Sequence, residues 1–147
     1  MRVILVREWD AQMGGSGCCG RLGGRDCAIG EPETYAYARV DMEAMGEVYR
    51  ALRSEFADAI TVEVVDPRNT VWLVPTVWRD ARARGLSVGG ALRQIAAGAG
   101  QGTVICDGRV VHRGGPPDPD GIVEVIGREL ATSRRSTSPV ADRRAAR

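Results

Sequence analysis

The sequence predicts a single α/β domain with a four-stranded mixed sheet, and three observations lead to this fold class. Residues 2–6 and 60–65 are short runs of aliphatic and β-branched residues, as expected of buried strands. The segment before the second run carries apolar residues at helical spacing. Residues 102–113 predict a hairpin, because Asp107-Gly108 separates two β-branched runs. Together these patterns indicate two parallel strands joined by a helix, followed by an antiparallel hairpin.

Composition limits the class of protein further. The chain has 147 residues and a hydrophobic fraction of 44%, which suit one domain that needs no disulfides for stability. A net charge of +1 gives no field that would attract nucleic acid or a membrane surface. The first residues lack the features of a signal peptide, and no run approaches a membrane span. We therefore expect a cytoplasmic protein without membrane insertion, in which structural disulfides are rare.

Helical spacing predicts the first two helices. Asp41 is suited to cap the first, and the apolar side that we expect it to bury comprises Met45, Val48, Tyr49, Leu52 and Phe56. The second helix is expected over residues 70–84, although Pro75 implies a late start or a kink. Its predicted apolar side comprises Val71, Val74, Trp78 and Ala81.

Two further helices and the limits of the domain follow from the rest of the chain. A short helix over about 87–98 is expected to bury Leu92, Ile95 and Ala96. Asp120 is suited to cap a last helix, whose apolar residues are Ile122, Ile126 and Leu130. The domain should therefore span residues 1–131, with a long Cys- and Gly-rich loop over 7–40. Residues 132–147 carry too little apolar surface to fold and are expected to be disordered.

Three of the four cysteines lie in that glycine-rich segment, at Cys18, Cys19 and Cys27. Thiolates are the ligands that soft ions prefer, and glycines allow adjacent side chains to converge. Arg21 and Arg25 lie beside them and should lower the pKa of the thiols by favouring the charged form. The pattern predicts a metal site in which Cys18, Cys19 and Cys27 bind arsenite, antimonite, Cu(I) or Zn(II), with Arg21 as a supporting residue.

The predicted order β-α-β-α-α-β-β-α, with helices on both faces, is that of a thioredoxin-like domain. With the vicinal Cys18-Cys19 after the first strand, a third cysteine downstream and a Val-Ile-Cys-Asp-Gly-Arg-Val-Val hairpin, the chain resembles the arsenic metallochaperones (the ArsD family). The resemblance covers residues 2–131 as architecture. Family members place the third thiol closer to the pair than Cys27 lies here. The chain also lacks the Cys-x-x-Cys motif of thioredoxin itself.

This fold places the end of the first strand beside the start of the third, near Thr103. Pairing across the Asp107-Gly108 turn would set Cys106 opposite Arg109 and Thr103 opposite His112. We therefore expect Thr103 and His112 at the cysteine end of the sheet, where they could contact a bound group. Cys106 should lie about 10 Å away, at about 3.3 Å per residue, as a small buried group.

Two other functions remain open from the sequence. Cys19 and Cys27, or Cys18 and Cys27, could cycle between dithiol and disulfide, which would make the protein a thioredoxin-type redox enzyme or electron carrier. A non-catalytic interaction domain is the other alternative. A [2Fe-2S] cluster fits less well, because thioredoxin-like ferredoxins use two pairs of cysteines and only Cys106 is present late in this chain. A protein partner that accepts the metal or the electrons is implied by the first two readings.

Overall fold

The computed structural model describes residues 1–7 and 36–137. Among these residues, four strands and four α-helices follow one another in the predicted order. The strands are β1 (Arg2–Val6), β2 (Thr61–Val65), β3 (Thr103–Cys106) and β4 (Arg109–His112). The helices are α1 (Ala36–Phe56), α2 (Thr70–Ala83), α3 (Val88–Gly98) and α4 (Pro119–Thr137), with a short 3-10 turn at Ala57–Ala59. None of these helices is long and apolar enough to cross a membrane.

The strands form one mixed sheet in the order β2-β1-β3-β4. β1 pairs in parallel with β2, while β3 is antiparallel to both of its neighbours. The parallel pair follows from the intervening helix, since strands that run in the same direction need a long crossover connection. The predicted mixed α/β architecture with four strands is therefore confirmed.

Alternation along β1 divides the core into two layers. Val3 and Leu5 face one side, where Met45 and Leu52 of α1 and Ile126 of α4 complete a buried cluster. Ile4 and Val6 face the other side and join a second cluster that includes Leu73 and Val77 of α2, Ile105 and the partly buried Ile95 of α3. Because β1 is buried on both faces, its continuous apolar run is explained.

The hairpin between β3 and β4 forms as the sequence predicts, with one change of register. Asp107 and Gly108 both have positive φ, 43° and 75°, as a type I′ turn requires. Cys106 pairs with Arg109 as expected, but an irregularity after Val104 shifts the pairing. His112 therefore lies opposite Val104, and the predicted pairing of His112 with Thr103 is wrong.

The ends of two helices differ from the prediction. α1 begins at Ala36, so Asp41 lies inside the helix instead of capping it, and the predicted loop ends before residue 40. The first turn of α4 is capped by Asp118, whose Oδ2 accepts a hydrogen bond from the Gly121 N–H at 2.9 Å. Pro119 is the first residue of the helix, a position whose N–H would have no hydrogen-bond partner within the helix in any case. α4 then continues to Thr137, past the boundary predicted at 131.

The buried faces of α2 and α3 also differ from the prediction. α2 buries Leu73, Thr76, Val77 and Ala81, and leaves Val71 87% exposed. Pro75 lies within this helix, whose start is capped by Asn69. α3 buries Gly90, Ala91 and Gly98, and leaves Leu92 54% exposed. The small residues set this orientation: a Cβ on Gly98 would lie 2.7 Å from Ile105 Cδ1, so the helix approaches the sheet through its glycine.

Candidate functional site

The carboxyl end of β1 meets the start of β3, and we call this the upper end of the sheet, defined by Val6, Arg7, Gly102, Thr103 and His112. Val6 is paired with Thr103, and the Gly102 N–H donates to the Val6 carbonyl oxygen at 3.0 Å. The Arg7 N–H donates to the Val65 carbonyl oxygen at 3.0 Å, which joins the end of β2 to the same place. The predicted proximity of Thr103 to the end of β1 is therefore observed.

The first helix runs from the side of the upper end toward the lower end. At the opposite, lower end of the sheet, the Thr61 N–H donates to the Met1 carbonyl oxygen at 2.9 Å, so β2 begins where β1 begins. α1 connects the two parallel strands and must run in the opposite direction, from the upper end to the lower. The chain therefore leaves the sheet at Arg7, at the upper end, and α1, which begins at Ala36, leads back toward the lower end.

The predicted ligands Cys18, Cys19 and Cys27 lie outside the described residues, and so do the supporting Arg21 and Arg25. The structure locates the two residues between which this segment is attached, Arg7 and Ala36. The assignment of Cys19 and Cys27 as a catalytic pair falls on the same segment and stays a prediction.

The loop after β4 passes directly over the start of β3. Gly102 has a φ of +74°, and a Cβ on it would lie 3.2 Å from the Gly115 carbonyl oxygen. His112 Nε2 lies 3.3 Å from the same oxygen, within hydrogen-bonding distance. Thr103 beneath is only 1% exposed, whereas His112 is partly exposed. Of the two predicted contact residues in the described chain, His112 is therefore the more accessible.

An open cavity of about 550 Å³ lies beside the upper end, between α1 and the outer strand β2. Its floor lacks a side chain at Gly46, a glycine within α1. Apolar groups dominate the lining, with two arginines at the rim: Arg7, Met45, Gly46, Tyr49, Arg50, Val62 and Val64. The sequence analysis did not identify this cavity. A glycine inside a helix, where it is unfavourable by about 1 kcal/mol relative to alanine, was the available signal.

Cys106 lies at the other end of β3 from Thr103 and is fully buried. Burial, assisted by the nearby carboxylate of Asp107, raises the pKa of its thiol to about 12. The thiol is thus protonated at neutral pH and is no ligand for a soft ion, because only the thiolate binds metal and reacts. The expectation that Cys106 is a small buried group is in agreement with this environment.

The lower end of the sheet is held by charged groups that the sequence did not reveal. Arg2 contacts two acidic residues, with Nη1 3.0 Å from Asp80 Oδ2 and Nε 3.4 Å from Glu63 Oε2. Its backbone N–H donates to Asp107 Oδ1 at 2.7 Å. These contacts connect β1 to β2, α2 and the hairpin turn, so the charges here are used to assemble the fold.

A second set of ion pairs joins α4 to the same end. Glu129 binds both Arg84 and Arg109, the latter at 3.1 Å. Arg84 also donates to the Cys106 carbonyl oxygen at 3.4 Å. A cavity of about 460 Å³ opens among these groups, and its lining includes Asp80, Arg84, Asp107 and Glu129. Arg84, the arginine among the described residues of this lining, is already paired with Glu129.

Across residues 1–7 and 36–137, no group of three or more His, Cys, Asp or Glu side chains is arranged to hold a metal ion. The predicted ligands Cys18, Cys19 and Cys27 all lie in the sequence between Arg7 and Ala36. Comparison with family models, with curated proteins and with solved structures found no match.

Proposed function

We propose that this protein binds a soft metal or metalloid ion through the thiolates of Cys18, Cys19 and Cys27. The observation that carries the proposal is that the cysteine-bearing segment leaves the sheet at Arg7, directly after the carboxyl end of β1, and leads into α1. Three of the four cysteines lie in this segment of the sequence. The fourth cysteine, Cys106, is buried at the other end of β3, three residues after Thr103.

The proposed ligand set has three thiolates. Arsenite and antimonite are bound by three sulfur ligands in a pyramidal geometry, and thiolates suit Cu(I) and Zn(II) as well. Arg21 and Arg25 supply positive charge next to the cysteines in the sequence, which favours the thiolate form. His112, which is partly exposed at the upper end, would be a further side chain that could contact a bound ion.

The strand order supports a further part of the proposal. A sheet in the order β2-β1-β3-β4, with β1 parallel to β2 and helices on both faces, is the arrangement that we expect of a thioredoxin-like domain. Such a domain resembling the arsenic metallochaperones would carry its thiols at the carboxyl end of β1. It would pass the ion to a protein partner, in keeping with a cytoplasmic protein.

Arsenite titration of the fully reduced protein, with free thiols counted by a chromogenic disulfide reagent, tests the proposal. We expect one As(III) to bind per chain with the loss of three titratable thiols. The Cys18→Ser variant should lose this binding. The Cys106→Ala variant is the matched control and should bind As(III) as the wild type does, because Cys106 is buried and protonated.

Two outcomes would overturn the metal-binding proposal. A reversible disulfide among the segment's cysteines, with a measurable potential and no affinity for As(III), would instead identify a dithiol redox protein. A triple serine variant at positions 18, 19 and 27 that keeps every cellular function would leave an interaction domain whose thiols are incidental.

A further inference from the structure

The two outer strands of the sheet differ in how their free backbone edges are covered. On β4, the N–H of Val110 donates to the Gln94 side-chain oxygen at 2.8 Å, and the strand carries a register irregularity. β2 at the other edge has no such cover among the described residues. The side-chain contact from Gln94 and the register irregularity, both on β4, are means by which proteins prevent edge strands from pairing with other chains.

The free backbone groups of β2 follow from its pairing with β1. The Thr61 N–H bonds to Met1 and the Val65 carbonyl oxygen to Arg7, so alternate residues of β2 face β1. In a parallel ladder, the residues between them direct their N–H and C=O groups away. Val62 and Val64 are these residues, and Ile60, which is also extended (φ −132°, ψ 151°), continues the same alternation. Within residues 1–7 and 36–137, no hydrogen bond reaches the outward groups of Val62 or Val64.

The side chains of this edge do not oppose pairing. Residues 60–65 read Ile-Thr-Val-Glu-Val-Val, with no proline, no basic residue and a single charge. Val62 and Val64 pack against the core cluster below α1, and Tyr49 lies beside them with 38% of its surface exposed. A strand of high β-propensity with a free, flat edge is a template for another strand.

We propose that β2 pairs antiparallel with β2 of a second copy of the chain, with Val62 opposite Val62 of the partner subunit. The outward-facing residues Ile60, Val62 and Val64 are symmetric about Val62, so this register is the one that joins all of them. Ile60 then lies opposite Val64 of the partner subunit, and these pairs are apolar. The two sheets would form one continuous sheet about a two-fold axis, which is the commonest symmetry of soluble oligomers.

Charge and hydrogen bonding favour this register over its neighbours. It places Thr61 opposite Glu63 of the partner subunit, where a hydroxyl meets a carboxylate. A register centred on Glu63 would instead oppose two carboxylates, which is unfavourable. A register centred on Val64 would require the backbone of Asp66, whose carbonyl oxygen already accepts from the Asn69 N–H at 2.9 Å.

Sedimentation equilibrium of the full chain, kept reduced so that no disulfide links two copies, measures the dimer directly. We expect a reversible monomer–dimer equilibrium in the wild type. Thr61→Glu, which sets two carboxylates opposite each other twice per dimer, should raise the dissociation constant about tenfold at low salt. The matched control is Thr61→Gln, which should change it by less than about threefold, since it adds no charge. A wild type that stays monomeric, or equal constants for the two variants, would overturn the proposal.

Hydrogen exchange supplies a second measurement that does not depend on the Thr61 variants. The amides of Val62 and Val64 should exchange more slowly as protein concentration rises, whereas the Val110 amide, bonded to Gln94, should be unaffected. Val62→Pro removes an outward N–H without removing a bond to β1, so it should stay folded by circular dichroism and be a monomer by sedimentation equilibrium. Protection of Val62 that is independent of concentration would contradict the dimer, because another part of the same chain would then cover the edge.

Discussion

The upper and lower ends of the sheet are built in opposite ways. At the lower end, Arg2, Asp80 and Asp107 connect strands, helix and hairpin through short polar contacts. At the upper end, backbone hydrogen bonds close the sheet, and an open cavity lies beside Arg7. At the lower end, the charged side chains form contacts that hold the elements of the domain together. The upper end leaves Arg7 and His112 near the point where the cysteine segment is attached.

Because of this difference, we expect mutations at the two ends to affect different properties, namely stability at the lower end and ion binding in the cysteine segment. Changes at the lower end should lower the free energy of unfolding and leave ion binding intact in whatever protein remains folded. Changes to Cys18, Cys19 and Cys27 should do the reverse, because we propose these thiols as the ligands of the ion. The predictions below test that separation.

The largest effect is expected at Gly108 in the hairpin turn. A Cβ at this position would lie 2.2 Å from the Ala81 backbone nitrogen, and the residue has a φ of +75°. We expect Gly108→Ala to lower the free energy of unfolding by about 3 kcal/mol or more, since backbone must move as well as strain be accommodated. Urea denaturation followed by circular dichroism measures this difference.

Gly114 near the upper end provides the matched control. Its φ of +77° is almost the same, but a Cβ there would meet nothing within 4 Å. Gly114→Ala should therefore cost only the backbone strain, about 1 kcal/mol. Equal losses at the two glycines would show that the close approach of the hairpin to α2 is unimportant, and the contrast between the ends would fail.

The strands and the hairpin could be predicted from the sequence because local rules determine them. Asp107-Gly108 supplies two residues that accept positive φ, and the apolar run of residues 2–6 needs no knowledge of its neighbours. The apolar sides of α2 and α3 could not be predicted in this way. Their orientation depends on small residues such as Gly98, which allow close contact with Ile105. Apolar periodicity, which gives no weight to glycine, therefore selected Val71 and Leu92, which are exposed.

The candidate site could be predicted only in part. The neighbouring positions of Val6 and Thr103 follow from topology, and the structure has them paired. The pairing of His112 with Val104 depends on an irregularity in the β3–β4 ladder, and no residue pattern in the sequence predicted it. The charged groups at the lower end come from residues far apart in sequence, such as Arg84 and Glu129, so their pairing required the fold.

A smaller effect is expected from Glu129, which joins α4 to the lower end. Its carboxylate binds both Arg84 and Arg109 and is 17% exposed. Glu129→Gln should lower the free energy of unfolding by about 2 kcal/mol, because two charge-assisted hydrogen bonds are weakened in a partly buried place. Thermal and urea unfolding of the variant measure the loss, and As(III) binding by the folded fraction should stay unchanged.

Glu124 on the same helix is the control for Glu129. Its carboxylate is 73% exposed and lies 3.8 Å from Arg128, which is a surface pair one turn away. Glu124→Gln should change the free energy of unfolding by less than about 0.5 kcal/mol. A loss as large as that of Glu129→Gln would mean that removing any charge from α4 is enough, and that the Glu129 bridge has no special role.

The smallest effect concerns Cys106 and depends on pH. The folded protein raises the pKa of this thiol to about 12, against 9.0 for an unperturbed thiol, chiefly by burial. Between these values the unfolded chain loses the proton and the folded chain keeps it. The free energy of unfolding should therefore be unaffected by this group below pH 9 and should fall as the pH rises toward 12.

Comparison of the wild type with Cys106→Ala isolates this contribution, because all other titrating groups are shared. Going from about pH 8 to about pH 10, the wild type should lose about 1.4 kcal/mol more than the variant. Urea denaturation at the two pH values gives the difference. Parallel losses would mean that the Cys106 thiol ionises as readily in the folded protein as in the unfolded chain. Cys106 would then be able to react as a thiolate, and the separation of a structural lower end from a reactive upper end would no longer hold.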